Sequence, residues 1–114
     1  MTYEVPEELE FFERGFGYSD EYDHDEGLFS FLLTYENGDE LIFTHSPSAY
    51  NSVSVKLIQN GELVFNVYKE HVSQITFQAW GNENVIRVYF STESDVSDFL
   101  VYFNPKPRLK YAEF

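Results

Sequence analysis

Residues 72–90, VSQITFQAWGNENVIRVYF, decide the fold class. Ile75, Phe77 and Ala79 alternate with Thr76, Gln78 and Trp80, the two-residue period of a strand with one buried face. After Gly81-Asn82-Glu83-Asn84, whose residue types suit a turn, Val85-Ile86 and Val88-Tyr89-Phe90 form a run of β-formers broken only by Arg87. Such a run predicts a strand buried on both faces. Two strands joined by a short turn make an antiparallel pair, which the rest of the chain must cover or extend.

Working outward, residues 28–35 lead through Glu36-Asn37-Gly38-Asp39 into 40–45, a hairpin in which Asn-Gly would supply the positive φ values of a tight turn. Val53, Val55 and Leu57 alternate with Ser54 and Lys56 up to Asn60-Gly61; beyond it Leu63, Phe65 and Val67 alternate with Val64, Asn66 and Tyr68. Toward the C-terminus, residues 91–98 are a polar connection with room for a helical turn, and Phe99, Val101 and Phe103 face one way. Asn104-Pro105-Lys106-Pro107 then bars a central strand, so 108–114 closes the chain as an edge. About eight short strands, at the regular spacing of all-β domains, predict a mainly β fold. Its architecture is an antiparallel meander forming a sandwich or open barrel.

Ahead of the strands, residues 6–14 carry helix punctuation: Pro6 at the start, acids in the first turn and Gly15 at the end. Val5, Leu9, Phe12 and Phe16 recur on one face, which predicts a short amphipathic helix whose aromatic stripe packs on the sheet. Residues 17–27, GYSDEYDHDEG, lack an apolar period and are expected to form an acidic loop.

At 114 residues one core is enough, so 1–114 is expected to be a single domain. Twelve Phe and nine Tyr let large rings, each burying about 150–250 Å², stabilise that core without a metal or disulfide. The absence of Cys fits a reducing compartment. The N-terminus is acidic where a signal peptide is basic, and no apolar run approaches the roughly 20 residues of a membrane span. The expected location is the cytoplasm, with no membrane partner.

Charge bounds the partners. Twenty Asp and Glu against seven Lys and Arg leave a formal net charge of −13, which repels phosphates and speeds encounter with basic proteins. Nucleic acid is therefore not the expected partner. Residues 1–27 hold ten acids and one base, net −9, against ten acids and six bases, net −4, in 28–114. The candidate partner-binding residues are accordingly Asp20, Glu21, Asp23, Asp25 and Glu26, with Tyr18 and Tyr22 interleaved. Trp80 joins them because it falls on the polar side of its strand, where it is either an interface anchor or cover for a second sheet.

Reaction chemistry is not legible. Asp23-His24-Asp25-Glu26 offers metal-ligand residue types, but Gly27 and Leu32 stand where an EF-hand loop would not put them and no His pair has helical spacing. His24, His45 and His71 lie on different elements, with no nucleophile elbow and no Cys. Gly15-Phe16-Gly17 lacks the preceding strand and third glycine of a phosphate loop. No catalytic residue, metal or cofactor is expected.

His24-Asp25-Glu26 ahead of the strand at 28–33, Val72 and Ile75 leading to Trp80-Gly81-Asn82-Glu83-Asn84-Val85-Ile86, and a Pro-containing corner before a last strand resemble bacterial immunity proteins. These are the antitoxins of polymorphic-toxin and contact-dependent growth inhibition systems, and the resemblance runs over residues 24–114. It implies a non-enzymatic inhibitor that binds one toxin domain, often a nuclease, and blocks it; the net −13 adds that this domain is basic. Charge alone would equally serve a phage or plasmid DNA mimic that inhibits a defence or repair enzyme. A small acidic enzyme or ligand-binding barrel is a third class.

Overall fold

The computed structural model describes residues 5–48, 50–90 and 97–113. One short helix and two open antiparallel sheets, of five and four strands, make up the described chain, and neither sheet closes into a barrel. The chain divides into two compact units: Glu7–Glu70, and His71–Phe114 together with Met1–Pro6.

The first unit opens with helix α1 (Glu8–Glu13). At its start the Glu10 carboxylate accepts the Glu7 N–H at 2.8 Å, which satisfies a donor that the helix cannot. Its end is a Schellman motif: Gly15 N–H donates to Phe12 O at 3.0 Å and Phe16 N–H to Phe11 O at 3.1 Å, with Gly15 at φ +94°. The apolar contact that accompanies the motif is present, since the Phe16 ring stands edge-on to Phe11 at 5.7 Å.

That geometry corrects the expected helix face. The residue that α1 buries is Phe11, at 0% exposure, whereas Leu9 is 62% and Phe12 37% exposed. Phe16 is buried as expected, although it lies past the helix end. In a six-residue helix fewer than two turns are available to establish a period, and the chain reversal at Gly15 decides which ring is covered.

The five-stranded sheet follows in simple order: β1 (Gly17–Tyr18), β2 (Phe29–Thr34), β3 (Glu40–Ser46), β4 (Ser52–Gln59) and β5 (Glu62–Lys69). Phe31, Phe43 and Val55 lie in cross-strand register on one face, where Phe11 stacks on Phe31 with ring centroids 4.1 Å apart. Fully burying each such ring stabilises the unit by about 1.5–3 kcal/mol.

The two Asn-Gly turns differ. Asn60 and Gly61 are both at positive φ, +54° and +77°, in a two-residue hairpin loop closed by the Gln59–Glu62 pair, as expected. At Asn37-Gly38 only Gly38 is at positive φ. There Tyr35 O accepts the Gly38 N–H at 2.9 Å, and Asn37 Oδ1 accepts the Asp39 N–H at 3.0 Å. The Asn37 side chain thus substitutes for backbone curvature.

The second unit is the sheet β6 (Val72–Trp80), β7 (Glu83–Phe90), β8 (Ser97–Asn104) and β9 (Arg108–Glu113), also in sequence order. The turn between β6 and β7 is two residues, Gly81-Asn82, shorter than the four read from the sequence, because Trp80 already pairs with Glu83. As expected, β7 is an inner strand: Val85 and Ile86, which point to opposite faces, are both 0% exposed. An irregularity at Ser73 restores Val72 and Ile75, three apart, to burial, and a second at Phe103 does the same past Tyr102. The edge strand 108–113 follows the proline corner as expected, while the helical turn expected within 91–98 falls on residues outside those described, apart from Ser97 and Asp98, which begin β8.

Candidate protein-binding surface

Sequence places most candidate residues in 17–27, and that segment is built rather than loose. Tyr18 lies in β1, paired with Phe31, and Asp23 and Leu28 form a further antiparallel bridge with hydrogen bonds of 2.9 and 2.8 Å. The expected continuous acidic loop is corrected accordingly. Between strand and bridge, Ser19, Ser30 and Thr44 form a buried chain of hydroxyls, Ser19 Oγ to Ser30 Oγ at 2.5 Å and Ser30 Oγ to Thr44 Oγ1 at 2.7 Å. Burying three hydroxyls would be costly were they not bonded to one another, so this chain tethers Ser19 to β2 and β3 and positions the tyrosines on either side.

The five acids divide by role. Glu21 is paired with Lys56 at 2.7 Å. Asp23 Oδ1 accepts the N–H groups of Asp25 and Glu26 at 3.1 and 3.2 Å, closing an Asx-type turn. Asp20, Asp25 and Glu26 are exposed. Among the described residues, no group of three His, Asp or Glu side chains is placed to hold a metal ion. The turn depends on Gly27: its φ is +71°, and a Cβ there would lie 2.6 Å from Ser48 Oγ and 3.2 Å from Ser48 Cβ. Gly27→Ala is therefore expected to destabilise the protein by about 1–2 kcal/mol in urea unfolding, the cost of a left-handed Ala, with the Ser48 clash adding to it.

Tyr18 and Tyr22 converge on a residue that the sequence did not single out, Glu8. The Tyr18 hydroxyl donates to Glu8 Oε1 at 3.1 Å and the Tyr22 hydroxyl donates to Glu8 Oε2, with the two rings 4.3 Å apart. The bond to Glu8, followed by desolvation and the carboxylate's charge, holds the Tyr22 phenol above its ordinary value. Phe12 stands edge-on to Tyr18 at 5.0 Å, which accounts for its partial exposure: it extends an aromatic surface instead of the core. Glu8 carried no local signal, because the contact joins the first helical residue to positions ten and fourteen residues on, through the pairing of β1 with β2.

Trp80 belongs to the other unit. The residue is 38% exposed, its Nε1–H donates to Gln78 Oε1 at 2.9 Å, and its ring stands edge-on to Tyr102 at 6.1 Å. Seven of the eight candidates thus share residues 7–70, where 14 acids against 3 bases give net −11, while residues 71–114, with 5 acids against 4 bases, carry net −1.

Fold and surface together define an acidic two-sheet antiparallel β protein with a carboxylate- and tyrosine-bearing surface on its acidic unit. No family model and no curated protein matches the sequence. Among solved structures, a chain of the contact-dependent growth inhibition toxin–immunity protein complex from Klebsiella pneumoniae 342 matches at a TM-score of 0.80. The match covers 98% of this chain and 97% of that chain at 14% sequence identity. The likeness is one of fold, and that complex belongs to the kind of system whose immunity proteins the His24-Asp25 and Asn84-Val85-Ile86 motifs resemble. No helix among the described residues is long and apolar enough to cross a membrane.

Proposed function

We propose that residues 1–114 act as one domain, a cytoplasmic immunity protein that binds a basic toxin domain and occludes it without chemistry of its own. The observation that carries this reading is the fold shared over 98% of the chain with a member of a toxin–immunity complex. The net −11 of residues 7–70 supports the finer claim that the toxin is a nuclease. A nuclease needs Lys and Arg to hold phosphates, and carboxylates can occupy the same groove.

Asp20, Asp25 and Glu26 then steer encounter, and Tyr18, Tyr22 and Trp80 are the anchors. The test is titration of the purified protein against the product of the neighbouring gene, where that gene encodes a toxin domain. Protection should saturate at a fixed molar ratio and not grow with time. Changing Asp20, Asp25 and Glu26 to Asn and Gln should slow association roughly tenfold at low ionic strength, with the difference shrinking in salt. Tyr18→Ala should cost about 2 kcal/mol of affinity, and any one rim acid much less. Protection at sub-stoichiometric amounts that grows with incubation would overturn the reading.

A further inference from the structure

Glu8, Tyr18, Tyr22 and Phe12 assemble a chemistry that none of them has alone. The Glu8 carboxylate receives the Tyr18 hydroxyl on Oε1 at 3.1 Å and the Tyr22 hydroxyl on Oε2. A carboxylate offers about four acceptor positions, so the two phenols leave one open on each oxygen. Around it the Tyr18 and Tyr22 rings lie 4.3 Å apart at 56°, and Phe12 stands edge-on to Tyr18 at 84°. Tyr18 is 52% exposed and Glu8 half-buried, so ring and acid can both be reached from solvent.

The second unit contains the filled counterpart of this arrangement. There Tyr102 is met edge-on by Trp80 at 6.1 Å, as Tyr18 is by Phe12 at 5.0 Å. Arg108 lies on the Tyr102 ring with Cζ 3.7 Å from its centroid, and its Nη2 reaches Glu83 Oε1 and Oε2 at 3.1 and 3.2 Å. One guanidinium thus serves a ring and a carboxylate together, the ring through its quadrupole and the acid through charge-assisted hydrogen bonds. In the first unit the bases are placed elsewhere. Arg14 donates to Glu10 O at 2.9 Å, Lys56 donates to Glu21 at 2.7 Å, and Lys69 ends β5, at the opposite edge of the sheet from β1. A cation that engages Tyr18 and Glu8 in the same way has to come from another molecule.

We propose that Glu8, Tyr18, Tyr22 and Phe12 form a seat for one arginine side chain of the basic partner, its guanidinium stacked on Tyr18 and its donor edge on Glu8. The partner's identity rests on the toxin-binding reading; what is added is the group that is recognised and Glu8 as the residue that selects it. Charge complementarity excludes an anion, since residues 7–70 carry net −11. An apolar side chain would strip water from Glu8 and leave its open acceptor positions unpaired. Arginine is favoured over lysine because a planar fork stacks and bonds both oxygens at once, whereas an ammonium is a strongly hydrated point charge.

The test uses the whole protein and short alanine peptides with a single central Arg, Lys or Leu, read by the ring proton signals of Tyr18 and Tyr22 in NMR. The Arg peptide is expected to shift those signals saturably, and the Lys peptide to bind several-fold more weakly. Glu8→Gln should weaken the Arg peptide roughly tenfold, in the range for losing a charge-assisted pair. Tyr18→Ala, followed on Tyr22, should weaken it several-fold, the range for an exposed stacked cation. Glu36→Gln, which removes the same charge from an exposed turn of the same unit, should leave it unchanged. No saturable shift with the Arg peptide, equal binding of the Lys peptide, or equal weakening by Glu8→Gln and Glu36→Gln would overturn the proposal. Tighter binding of the Leu peptide would overturn it in favour of an apolar anchor. Titration of the toxin domain separates the seat from the reading it rests on. A toxin that binds the parent and Glu8→Gln alike overturns the seat and leaves the immunity reading standing, whereas a toxin that binds neither, beside an Arg peptide that binds as expected, overturns the immunity reading alone.

Discussion

Replacing Phe11 by Ala is expected to destabilise the protein by about 3–5 kcal/mol, the range for deleting a buried aromatic ring. That is a large share of the roughly 5–15 kcal/mol that holds a domain of this size together. The value should lie toward the upper end because Phe11 has few ways to be replaced. It is 0% exposed, stacked on Phe31 at 4.1 Å, covered edge-on by Phe16 at 5.7 Å, and flanked by Phe43 at 5.9 Å. Those neighbours sit on β2, β3 and the Schellman turn, so the cavity cannot close unless the strands or the turn move. Phe12→Ala on the same helix is expected to cost much less, since Phe12 keeps 37% of its surface in water. Urea unfolding of the two variants checks the contrast. A larger loss for Phe12→Ala would mean that the helix buries the face first read from its sequence, and equal losses would remove the contrast.

The consequence extends to the candidate surface. Glu8 is the first residue of α1, and its carboxylate receives the hydroxyls of both Tyr18 and Tyr22. Undocking α1 would therefore release both tyrosines, although Phe11 itself is fully buried. Phe11→Ala should weaken partner binding through loss of this arrangement, whereas Tyr18→Ala should do so with fold stability nearly intact.

How much was legible follows from the range of each interaction. Alternation along β4 and the Asn60-Gly61 turn were readable because both are set within a few residues, and a two-residue hairpin loop needs positive φ at consecutive positions. The hairpin at Asn37-Gly38 was legible too, but its turn has only Gly38 at positive φ and is held by Asp39, which gathers Asn37 and Gln59, at 3.2 and 3.1 Å, and Gln59 lies on another strand. The irregularity at Ser73 was hidden for a related reason, since strict alternation assumes that no residue is left out of the ladder. In the candidate surface the acids were legible as composition, but their division was not. Lys56 is 35 residues from Glu21, whereas the Asp23 turn spans two and three residues and was open to a local reading as an Asx turn. Arg108 over Tyr102 and against Glu83 likewise needs three strands in register before it exists.

Lowering the pH from about 6.5 to about 4 is expected to remove about 3 kcal/mol of stability through His45 alone. His45 ends the inward face of β3 at 5% exposure, with its ring stacked on Phe29 at 5.1 Å and on Phe11 and Phe31 at 6.3 Å. Desolvation among these rings lowers its pKa from 6.5 to about 4, and the charge of Glu8 only partly opposes that effect. Because the folded value is depressed, the unfolded chain binds the proton more readily between the two values. Stability is then complete above about 6.5, falls as the pH drops through the window, and levels off below about 4. The size follows because each tenfold difference in proton affinity between the folded and unfolded chains is worth about 1.4 kcal/mol. Carboxylates also titrate in acid, so the measurement is a difference: urea unfolding of the parent and of His45→Phe at a series of pH values from about 7 down to about 4. The variant keeps an aromatic ring among Phe11, Phe29 and Phe31 but has no proton to gain, so its stability should fall less steeply across the window. Parallel curves would place the acid sensitivity in other groups. If the curves diverge, partner binding should weaken over the same range, because the rings that exclude the His45 proton also support Tyr18 and Tyr22, which contact Phe31 at 6.3 and 6.2 Å.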